Sequence, residues 1–463
     1  MFFAGKTVIF PDMLFVSRAH HGFSDLPDEL LEYIARSLET ADLVSWISSA
    51  PFFRLFAHRN PLLFSARILY PVRNFPPGEL FRRSVSALRI KFSLFSKLSP
   101  LDAVEVVRQF RCLSSLSIKI NHRSRMLLDD LDLSCLGRLS TLRSLVLSSF
   151  CSSQLGFVSR LVNLEHLDIS NGEWTDISAL RCLPRLDSLD LNQCRGIVDF
   201  SPLVSCTALT VLHARSTRIT GTHQLSALVR LVSVDLRETA VSETAGLSGL
   251  PALRSVYISN RFDNVPPFFF SFGAALRHLS LRHCETIQFS PGVFRPLSAL
   301  VFLDLSYCSL ESLDFFSNFE SRDILPALET LRLDYNFVSD LAALSRLPRL
   351  ECLSLRGISV DDAAVFPLCR ALVHLDLRES RVYSNFASIG ASKTLRTLNM
   401  AFARLDNPML LSYLDAVRDF KAPVDRLEIT GTFSSFNLPQ FGLAPCVFFE
   451  NSSCFVGRFP HII

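Results

Sequence analysis

The most regular feature of the chain is a six-residue phrase: an apolar residue, two variable residues, leucine or its equivalent, one variable residue and another apolar residue. The phrase occurs fifteen times between Val85 and Ile429, and in its most regular stretch it returns every 22 or 23 residues. A fixed period of this size indicates that each unit is one supersecondary piece, which cannot bury its apolar side without its neighbours. The phrases are residues 85–90, 113–118, 142–147, 164–169, 186–191, 209–214, 231–236, 253–258, 276–281, 300–305, 328–333, 350–355, 372–377, 395–400 and 424–429.

Within the phrase, apolar and variable residues alternate with period two, which predicts a short strand whose leucines point inward. Stacked repeats would lay these strands in parallel about 4.8 Å apart, forming a sheet about 70 Å long on the concave side of an arc. The rest of each repeat is expected on the convex side, where a recurrent aspartate can cap a single helical turn. Longer helices are expected only where the spacing lengthens, near the ends and between residues 300 and 328. The recurrent aspartates are Asp176, Asp199, Asp340 and Asp362.

We count the first residue of each phrase as the first position of its repeat. The ninth position then carries Asn, Thr, Ser or Cys, whose side chain can serve the backbone between stacked coils. The period, the phrase and this position together resemble the leucine-rich repeat family. That resemblance implies an α/β solenoid, a leucine-rich repeat arc with a parallel concave sheet. The ninth-position residues are Cys194, Thr217, Thr239, Cys284, Cys308, Asn336 and Ser380.

The twelve cysteines include no Cys-x-x-Cys pair and no Cys/His cluster with zinc spacing. Several of them occupy the ninth position instead. We therefore expect reduced, structural thiols, no metal site and no cofactor. This usage is typical of an intracellular protein, cytoplasmic or nuclear.

Composition narrows the class of protein. The 463 residues are 49% apolar, enough for a large core, and the net charge of +3 lacks the basic excess of a nucleic-acid binder. No apolar run reaches about 18 residues, so no membrane-spanning segment is predicted. The first residues, interrupted by Lys6, Pro11 and Asp12, do not have the pattern of a secretory signal. We expect no nucleic-acid partner, no membrane association and a monomer that acts within a complex.

Phenylalanine is unusually common, with 40 residues concentrated outside the strand positions, most densely at residues 266–272. This distribution favours an apolar spine beneath the convex face. The alternative is an exposed phenylalanine patch that contacts a partner.

Charged residues recur at two strand positions that face solvent. The fifth position carries Asp168, Asp190, Asp235, Asp304 and Asp376, and the seventh carries Arg215, Arg237, Arg282, Arg356 and Arg378. Asp235 with Arg237, and Asp376 with Arg378, are expected to satisfy each other as surface ion pairs, each worth under about 1 kcal/mol.

The alternative is a binding face. Like charges side by side on adjacent strands are destabilising, and Arg215 beside Arg237, or Arg356 beside Arg378, would be such a case. A partner of opposite charge would relieve this repulsion. With Tyr257 between them, these arginines would form a basic patch that binds carboxylates or a phosphate. The candidate partner-binding residues are Arg215, Arg237, Tyr257, Arg282, Arg356 and Arg378.

Residues 22–70 do not follow the repeat and predict three short helices. Pro27 suits a first helical position, and Leu30, Ile34 and Leu38 form one apolar stripe. Three helices in about 45 residues make a core too small to be stable on its own.

The sequence Leu26-Pro27-x-Glu29-Leu30-Leu31, with Ile34, Leu38, Asp42 and Leu43, resembles the opening of the F-box. Residues 60–64 resemble its close, whereas Ser48–Phe53 departs from the family's central stretch. The resemblance implies a helical module that docks onto the Skp1 adaptor of cullin-RING ubiquitin ligases. By the same resemblance the adaptor would be contacted by Leu26, Pro27, Leu30, Ile34 and Leu43. The alternative is a plain helical cap over the open edge of the first repeat.

The predicted organisation is an N-terminal extension (1–21), the F-box-like module (22–70), a proline-stiffened linker (71–84), the repeats (85–429) and a C-terminal cap (430–463). No phosphate-binding glycine loop, nucleophile elbow or metal-ligand spacing is found, so no catalytic activity is expected. Two hypotheses remain. One is the substrate-recognition subunit of a Skp1–cullin–F-box ubiquitin ligase, with a protein substrate on the concave face. The other is an adaptor-independent leucine-rich repeat scaffold or regulatory subunit.

Overall fold

The computed structural model describes most of the repeat region. The described residues are 112–119, 133–150, 155–241, 244–259, 272–284, 294, 296–316, 325–405, 407–420 and 424–429, with short segments at 2–3, 6–7, 65–66, 87–91, 107 and 447–448. The chain divides into two compact units, residues 1–219 and 220–463. No helix in the described part is long and apolar enough to cross a membrane.

The first unit contains a parallel sheet whose strands pair in the order of the sequence. The fourth positions of neighbouring repeats lie opposite each other, as Leu145 does with Leu167 and Leu167 with Leu189. The strands are Ser65–Ala66, Ala87–Lys91, Ser115–Lys119, Ser144–Ser148, His166–Asp168, Ser188–Asp190 and Val211–His213.

The second unit contains a parallel sheet built in the same register, with Val234 opposite Val256 and Leu303 opposite Leu331. All fifteen predicted phrases therefore form a strand in one unit or the other, which confirms the prediction of a parallel, in-register sheet. The strands of the second unit are Ser233–Arg237, Ser255–Ser259, His278–Ser280, Phe302–Asp304, Thr330–Arg332, Cys352–Ser354, His374–Asp376, Thr397–Asn399, Arg426–Glu428 and Val447–Phe448. Two shorter strands, Ser359–Val360 and Arg381–Val382, pair separately.

Two strands beyond the predicted repeat range continue the parallel pairing. Ser65–Ala66 pairs in parallel with Ala87–Lys91, and Val447–Phe448 pairs with Arg426–Glu428. They fall in the ranges predicted as helical module and C-terminal cap, so parallel pairing extends past both limits. Near the N-terminus, Phe2–Phe3 pairs antiparallel with Lys6–Thr7. The predicted adaptor-binding residues and the linker 71–84 lie outside the described residues.

Most of the helical turns are 3₁₀ helices, and an apolar period of three explains them. In one repeat the N–H groups of Leu180, Leu183 and Leu186 bond to the carbonyls three residues earlier, at 3.0, 3.0 and 3.3 Å, and all three leucines are buried. Side chains three apart are aligned in a 3₁₀ helix, so this period buries every third residue. The 3₁₀ helices are Ser134–Arg138, Gly156–Arg160, Ser178–Cys182, Ser201–Ser205, His223–Ala227, Asp314–Phe316, Ala342–Arg346, Ala363–Leu368 and Phe386–Ala391.

The recurrent aspartates cap these turns, as predicted. Asp176, Asp199, Asp340 and Asp362 each accept a backbone N–H from the first or second residue of the following 3₁₀ helix, at 2.7 to 2.9 Å. A hydrogen bond donated to a carboxylate stabilises its charged form. The hydrogen bonds from Ser201 and Ala364 therefore hold the pKa values of Asp199 and Asp362 below their ordinary value.

Among the described residues of the second unit there are two α-helices, Ala245–Ser248 and Asn407–Phe420. The longer one lies between the phrases 395–400 and 424–429, where the wider spacing predicts it. It buries Leu410, Tyr413 and Leu414, which lie three and one residues apart on one face. Close packing needs Gly390 in the preceding 3₁₀ helix, because a methyl group there would lie 2.8 Å from the Cβ of Ala416.

Phenylalanine side chains outside the strands contribute to the core. Those of Phe150, Phe200, Phe294, Phe316, Phe366 and Phe386 are among the largest that are fully buried. Phe294, Phe315 and Phe316 form one cluster, with ring centroids 4.5 to 5.8 Å apart. For these residues the predicted apolar spine is confirmed. Most of the densest run, residues 266–271, lies outside the described residues.

The ninth position serves the backbone, as predicted. The hydroxyl of Thr239 donates to the carbonyl of Leu236 at 2.6 Å, and Ser380 donates to that of Leu355 at 2.6 Å. Cysteines do the same, the thiol of Cys308 lying 3.0 Å from the carbonyl oxygen of Leu281. The nine described cysteines are free thiols.

Asn336 makes the fullest set of such bonds. Its amide donates to the carbonyls of Leu305 and Leu333 at 2.9 and 2.8 Å, and its oxygen accepts the N–H groups of Cys308 and Leu310 at 3.0 and 3.1 Å. One buried side chain thereby joins two repeats of the second unit through three bonds, and a fourth holds the turn of its own repeat.

Replacing Asn336 with Ala is expected to lower the free energy of unfolding by about 3 kcal/mol or more, because several buried backbone groups lose their partners together. Denaturant unfolding measures this, and hydrogen exchange should show faster exchange at the amides of Cys308 and Leu310. The control is Asn163→Ala, which removes a partly exposed bond to the carbonyl of Ser140 and should cost under about 1 kcal/mol. Equal losses in the two variants would contradict this account.

Candidate functional site

In five repeats an aspartate side chain fixes the turn that follows the strand. The carboxylate at the fifth position accepts the backbone N–H of the seventh residue, at 2.8 to 3.0 Å. In four of these repeats the strand ends at the aspartate, so the predicted aspartate column is first a set of strand caps. The strand of Asp235 continues to Arg237. The bonds join Asp168 to Ser170, Asp190 to Asn192, Asp235 to Arg237, Asp304 to Ser306 and Asp376 to Arg378.

In two repeats whose fifth position is not Asp or Asn, the preceding repeat supplies the acceptor. Asn192 accepts the N–H of Arg215 at 2.9 Å, and Asp334 accepts that of Arg356 at 3.0 Å. These acceptors sit at the seventh position of their own repeat.

The eighth residue then turns into the left-handed region. Residues at this position have φ between 54° and 69°, a conformation that non-glycine residues adopt uncommonly. They are Ser149, Asn171, Gln193, Ser216, Glu238, His283, Tyr307, Tyr335, Glu379 and Phe402, with Gly357 in the same place.

In the second unit three of these residues stack ring on ring. The rings of His283 and Tyr307 have centroids 4.4 Å apart at 27°, and those of Tyr307 and Tyr335 are 4.6 Å apart at 24°. We call these three residues the aromatic ladder. Their side chains are partly exposed, so the ladder presents an apolar, polar-tipped surface to solvent.

Gly357 ends the ladder. A methyl group at this residue would lie 2.6 Å from two ring carbons of Tyr335, so the ring occupies the space that a side chain would need. The hydroxyl of Tyr335 reaches past it and donates to a carboxylate oxygen of Glu379 at 2.8 Å. Burial, followed by this bond to a carboxylate, raises the pKa of Tyr335 to about 12.

Arginines at the seventh position lie over the ladder. The guanidinium carbon of Arg282 is 4.8 Å from the ring centre of Tyr307, and that of Arg356 is 5.3 Å from the ring centre of Tyr335. Both distances suit a cation–π interaction. Arg356 also pairs with Glu379, and hydrogen bonds from Arg356 and then Tyr335 lower the pKa of Glu379.

Of the other predicted arginines, two form ion pairs within the second unit and one belongs to the first unit. Arg237 and Arg378 bind Asp235 and Asp376 at 2.5 and 2.6 Å, which confirms that these pairs satisfy each other. Tyr257 lies beneath Arg237, with 5.6 Å from the guanidinium carbon to the ring centre. Arg215 belongs to the first unit, where its backbone binds Asn192 and Gln193.

Buried carboxylates lie behind this surface. Asp304 and Asp334 are 5% and 9% exposed. Burial raises the pKa of Asp334, although hydrogen bonds from Ser354 and Arg356 oppose the shift. No cluster of three or more His, Cys, Asp or Glu side chains suited to a metal ion occurs among the described residues.

Comparison with known proteins agrees with this geometry. Residues 251–310 match the family model described as leucine rich repeat. The chain has the leucine-rich repeat fold.

Three solved structures share the leucine-rich repeat fold. An internalin from Listeria monocytogenes is 18% identical with a TM-score of 0.53, over 76% of this chain and 89% of its own. A leucine-rich repeat protein from Leptospira interrogans is 17% identical with a TM-score of 0.56, over 81% and 97%. A chain of the Drosophila Toll–Spatzle complex is 15% identical with a TM-score of 0.53, and the match spans 76% of this chain but 52% of that one. None of the curated proteins matches this chain in sequence.

The aromatic ladder was not among the residues that sequence reasoning selected. The readable signal was a ring at the eighth position of three successive leucine-rich repeats, immediately before the ninth-position side chain. Arg332, at a fifth position, was also missed because that column was taken as acidic. Its guanidinium carbon lies 5.6 Å from the ring centre of Phe302.

A double-mutant cycle on Arg356→Gln and Glu379→Gln tests the ion pair beside the ladder. Because the folded-state pKa of Glu379 lies below its unfolded value, the coupling should be fully present above pH 4.5 and disappear as pH falls through the lowered pKa. Since both side chains are more than a third exposed, we expect about 0.5 to 1 kcal/mol at pH 7, measured from unfolding curves.

The matched control cycle combines Glu379→Gln with Arg332→Gln, which has no ion pair with Glu379. That cycle should show no coupling at any pH. Coupling that persists at low pH in the first cycle would mean that charge is not its source.

Proposed function

We propose that the protein is a non-catalytic binding protein that holds a protein partner on the solvent-facing side of the sheet in its second unit, which we call the sheet face. The observation that carries this proposal is the aromatic ladder with arginines lying over it. Tyr and Arg are the residue types that dominate the binding energy of protein interfaces, and here they are contiguous and partly exposed.

The ladder also suits binding because it is preorganised. Each ring starts from a left-handed residue, and side-chain to backbone hydrogen bonds hold the turns at Tyr307 and Tyr335. Tyr335 is held at both ends, by its stacking on Tyr307 and by its bond to Glu379. Side chains that are already ordered lose little conformational entropy when a partner binds, so more of the contact energy becomes affinity.

The structural comparisons support a protein as the partner. One of the similar folds comes from a structure of the Toll–Spatzle complex, in which that chain was found in a complex. The likeness concerns the fold alone. It supports protein binding as the class of function, and the aromatic ladder supports its location.

A photo-crosslinking amino acid placed at Tyr307 should yield a discrete adduct with a partner protein in an extract of source cells. The same group at Leu368, which is 60% exposed in the 3₁₀ helix Ala363–Leu368, serves as the control and should yield none. Adding Tyr335→Ala should weaken partner binding roughly thirtyfold, because loss of a central aromatic contact costs about 2 kcal/mol or more. Adducts at Leu368 but not at Tyr307 would place the interface elsewhere.

We further propose the substrate-recognition subunit of a Skp1–cullin–F-box ubiquitin ligase as the specific role. The support is the F-box-like sequence upstream of the repeats, in which Leu26, Pro27, Leu30, Ile34 and Leu43 match the residues expected to contact the adaptor. The protein partner on the sheet face would then be the ligase substrate, in the cytoplasm or nucleus. The alternative role is an adaptor-independent scaffold with the same binding face.

Full-length protein is expected to capture purified Skp1, whereas a Leu30→Asp/Ile34→Asp variant should lose it, because charges would replace apolar contacts at the interface. Circular dichroism checks that the variant is folded. Tyr307→Ala is the control, since it alters the sheet face and should leave Skp1 capture unchanged. Absence of capture by the unaltered protein would favour the scaffold.

A further inference from the structure

Two arginines on the sheet face have no ion pair with a carboxylate among the described residues. Arg237, Arg356 and Arg378 each form an ion pair within the chain. In the part of the chain that the structure describes, no such pair within 4.0 Å involves Arg282 or Arg332. Charge on this face is therefore uneven, with some guanidinium groups neutralised and these two available.

Both available guanidinium groups lie against rings of one repeat. Arg282 stacks over Tyr307 and Arg332 over Phe302, at 4.8 and 5.6 Å from the ring centres. The strand Phe302–Asp304 pairs with His278–Ser280 on one side and with Thr330–Arg332 on the other. The two arginines therefore flank this strand from opposite sides.

A cation–π contact restricts a guanidinium group without taking up its N–H donors. A guanidinium held this way is preorganised for a carboxylate, because its fork of donors matches the two carboxylate oxygens. The aromatic rings supply a cation–π contact that does not neutralise the charge. Arg332 is exposed and Arg282 partly exposed, so a ligand has access to both.

The buried carboxylates select between acidic ligands. Asp304 lies directly across the strand pair from Arg332, and both Asp304 and Asp334 accept backbone N–H groups, those of Ser306 and Arg356. These carboxylates offset much of the charge of the two arginines. The net attraction for a phosphate dianion, or for the dense charge of a nucleic-acid backbone, therefore does not repay its larger desolvation cost, whereas a singly charged carboxylate keeps its direct contact with one guanidinium group.

We propose that Arg282 and Arg332 bind carboxylates of an acidic segment of the partner protein, rich in Asp or Glu. The inference rests on the proposed function, since it names the chemistry of the partner at the same face. Phosphorylated peptide and nucleic acid are the competing ligands that the test must separate.

The test uses full-length protein and a fluorescein-labelled deca-glutamate peptide, with binding followed by fluorescence anisotropy at low and physiological salt. Arg282→Ala/Arg332→Ala is expected to weaken binding by about tenfold or more, because two charge-assisted contacts are lost. Arg282→Lys/Arg332→Lys should restore part of the affinity. The control is Arg349→Ala/Arg370→Ala, which removes the same charge from exposed residues away from the strands and should bind as the unaltered protein does.

Four results would overturn the inference. They are no binding of the peptide by the unaltered protein, equal weakening by the control variant, tighter binding of a phosphoserine peptide that depends on the same arginines, and tighter binding of a single-stranded RNA homopolymer. If any occurs while the crosslink at Tyr307 still forms, the sheet face binds a protein by other chemistry and the proposed function stands. Loss of that crosslink from every ladder position would remove the proposed function as well.

Discussion

The turn that follows the strands determines how this surface is built. In five repeats a fifth-position carboxylate holds the turn by accepting the N–H of the seventh residue. The same turn forms without that carboxylate at Ser149 and His283, and in both cases the eighth residue adopts the left-handed region. A non-glycine residue there costs on the order of 1 kcal/mol or more. The cost is offset because the turn directs the ninth-position side chain onto backbone groups that would otherwise be unpaired, as Thr239 and Asn336 show.

This geometry explains why the aromatic ladder stacks. Parallel strands lie about 4.8 Å apart, and side chains at equivalent positions inherit that spacing. The ring separations of 4.4 and 4.6 Å between His283, Tyr307 and Tyr335 are close to it. Any repeat that places a ring at its eighth position beside another such repeat will therefore form a stack. Gly357 ends the series because it provides no ring and leaves room for that of Tyr335.

Much of the fold was readable from the sequence because it depends on local, repeated signals. The strands, their register, the aspartate caps such as Asp199 and the ninth-position bonds all follow from spacing. The 3₁₀ form of the turns was readable too, from the apolar period of three at Leu180, Leu183 and Leu186, but it was not predicted. The candidate site was harder to predict from the sequence. The pairing of Arg237 with Asp235 lies within one strand, whereas the pairing of Arg356 with Glu379 joins two repeats and depends on side-chain reach.

That difference in pairing decides which arginines can attract a ligand. An arginine already bound to a carboxylate of its own chain gains little from a second carboxylate, since exchanging one for the other leaves a desolvated acid behind. Arg282 and Arg332 face no such exchange, and stacking on Tyr307 and Phe302 has already restricted their side chains. A partner's acidic residue meeting either one therefore gains a full charge-assisted contact at a low entropic cost. The pairing within the chain, more than the number of arginines on the surface, determines where recognition of charge can occur.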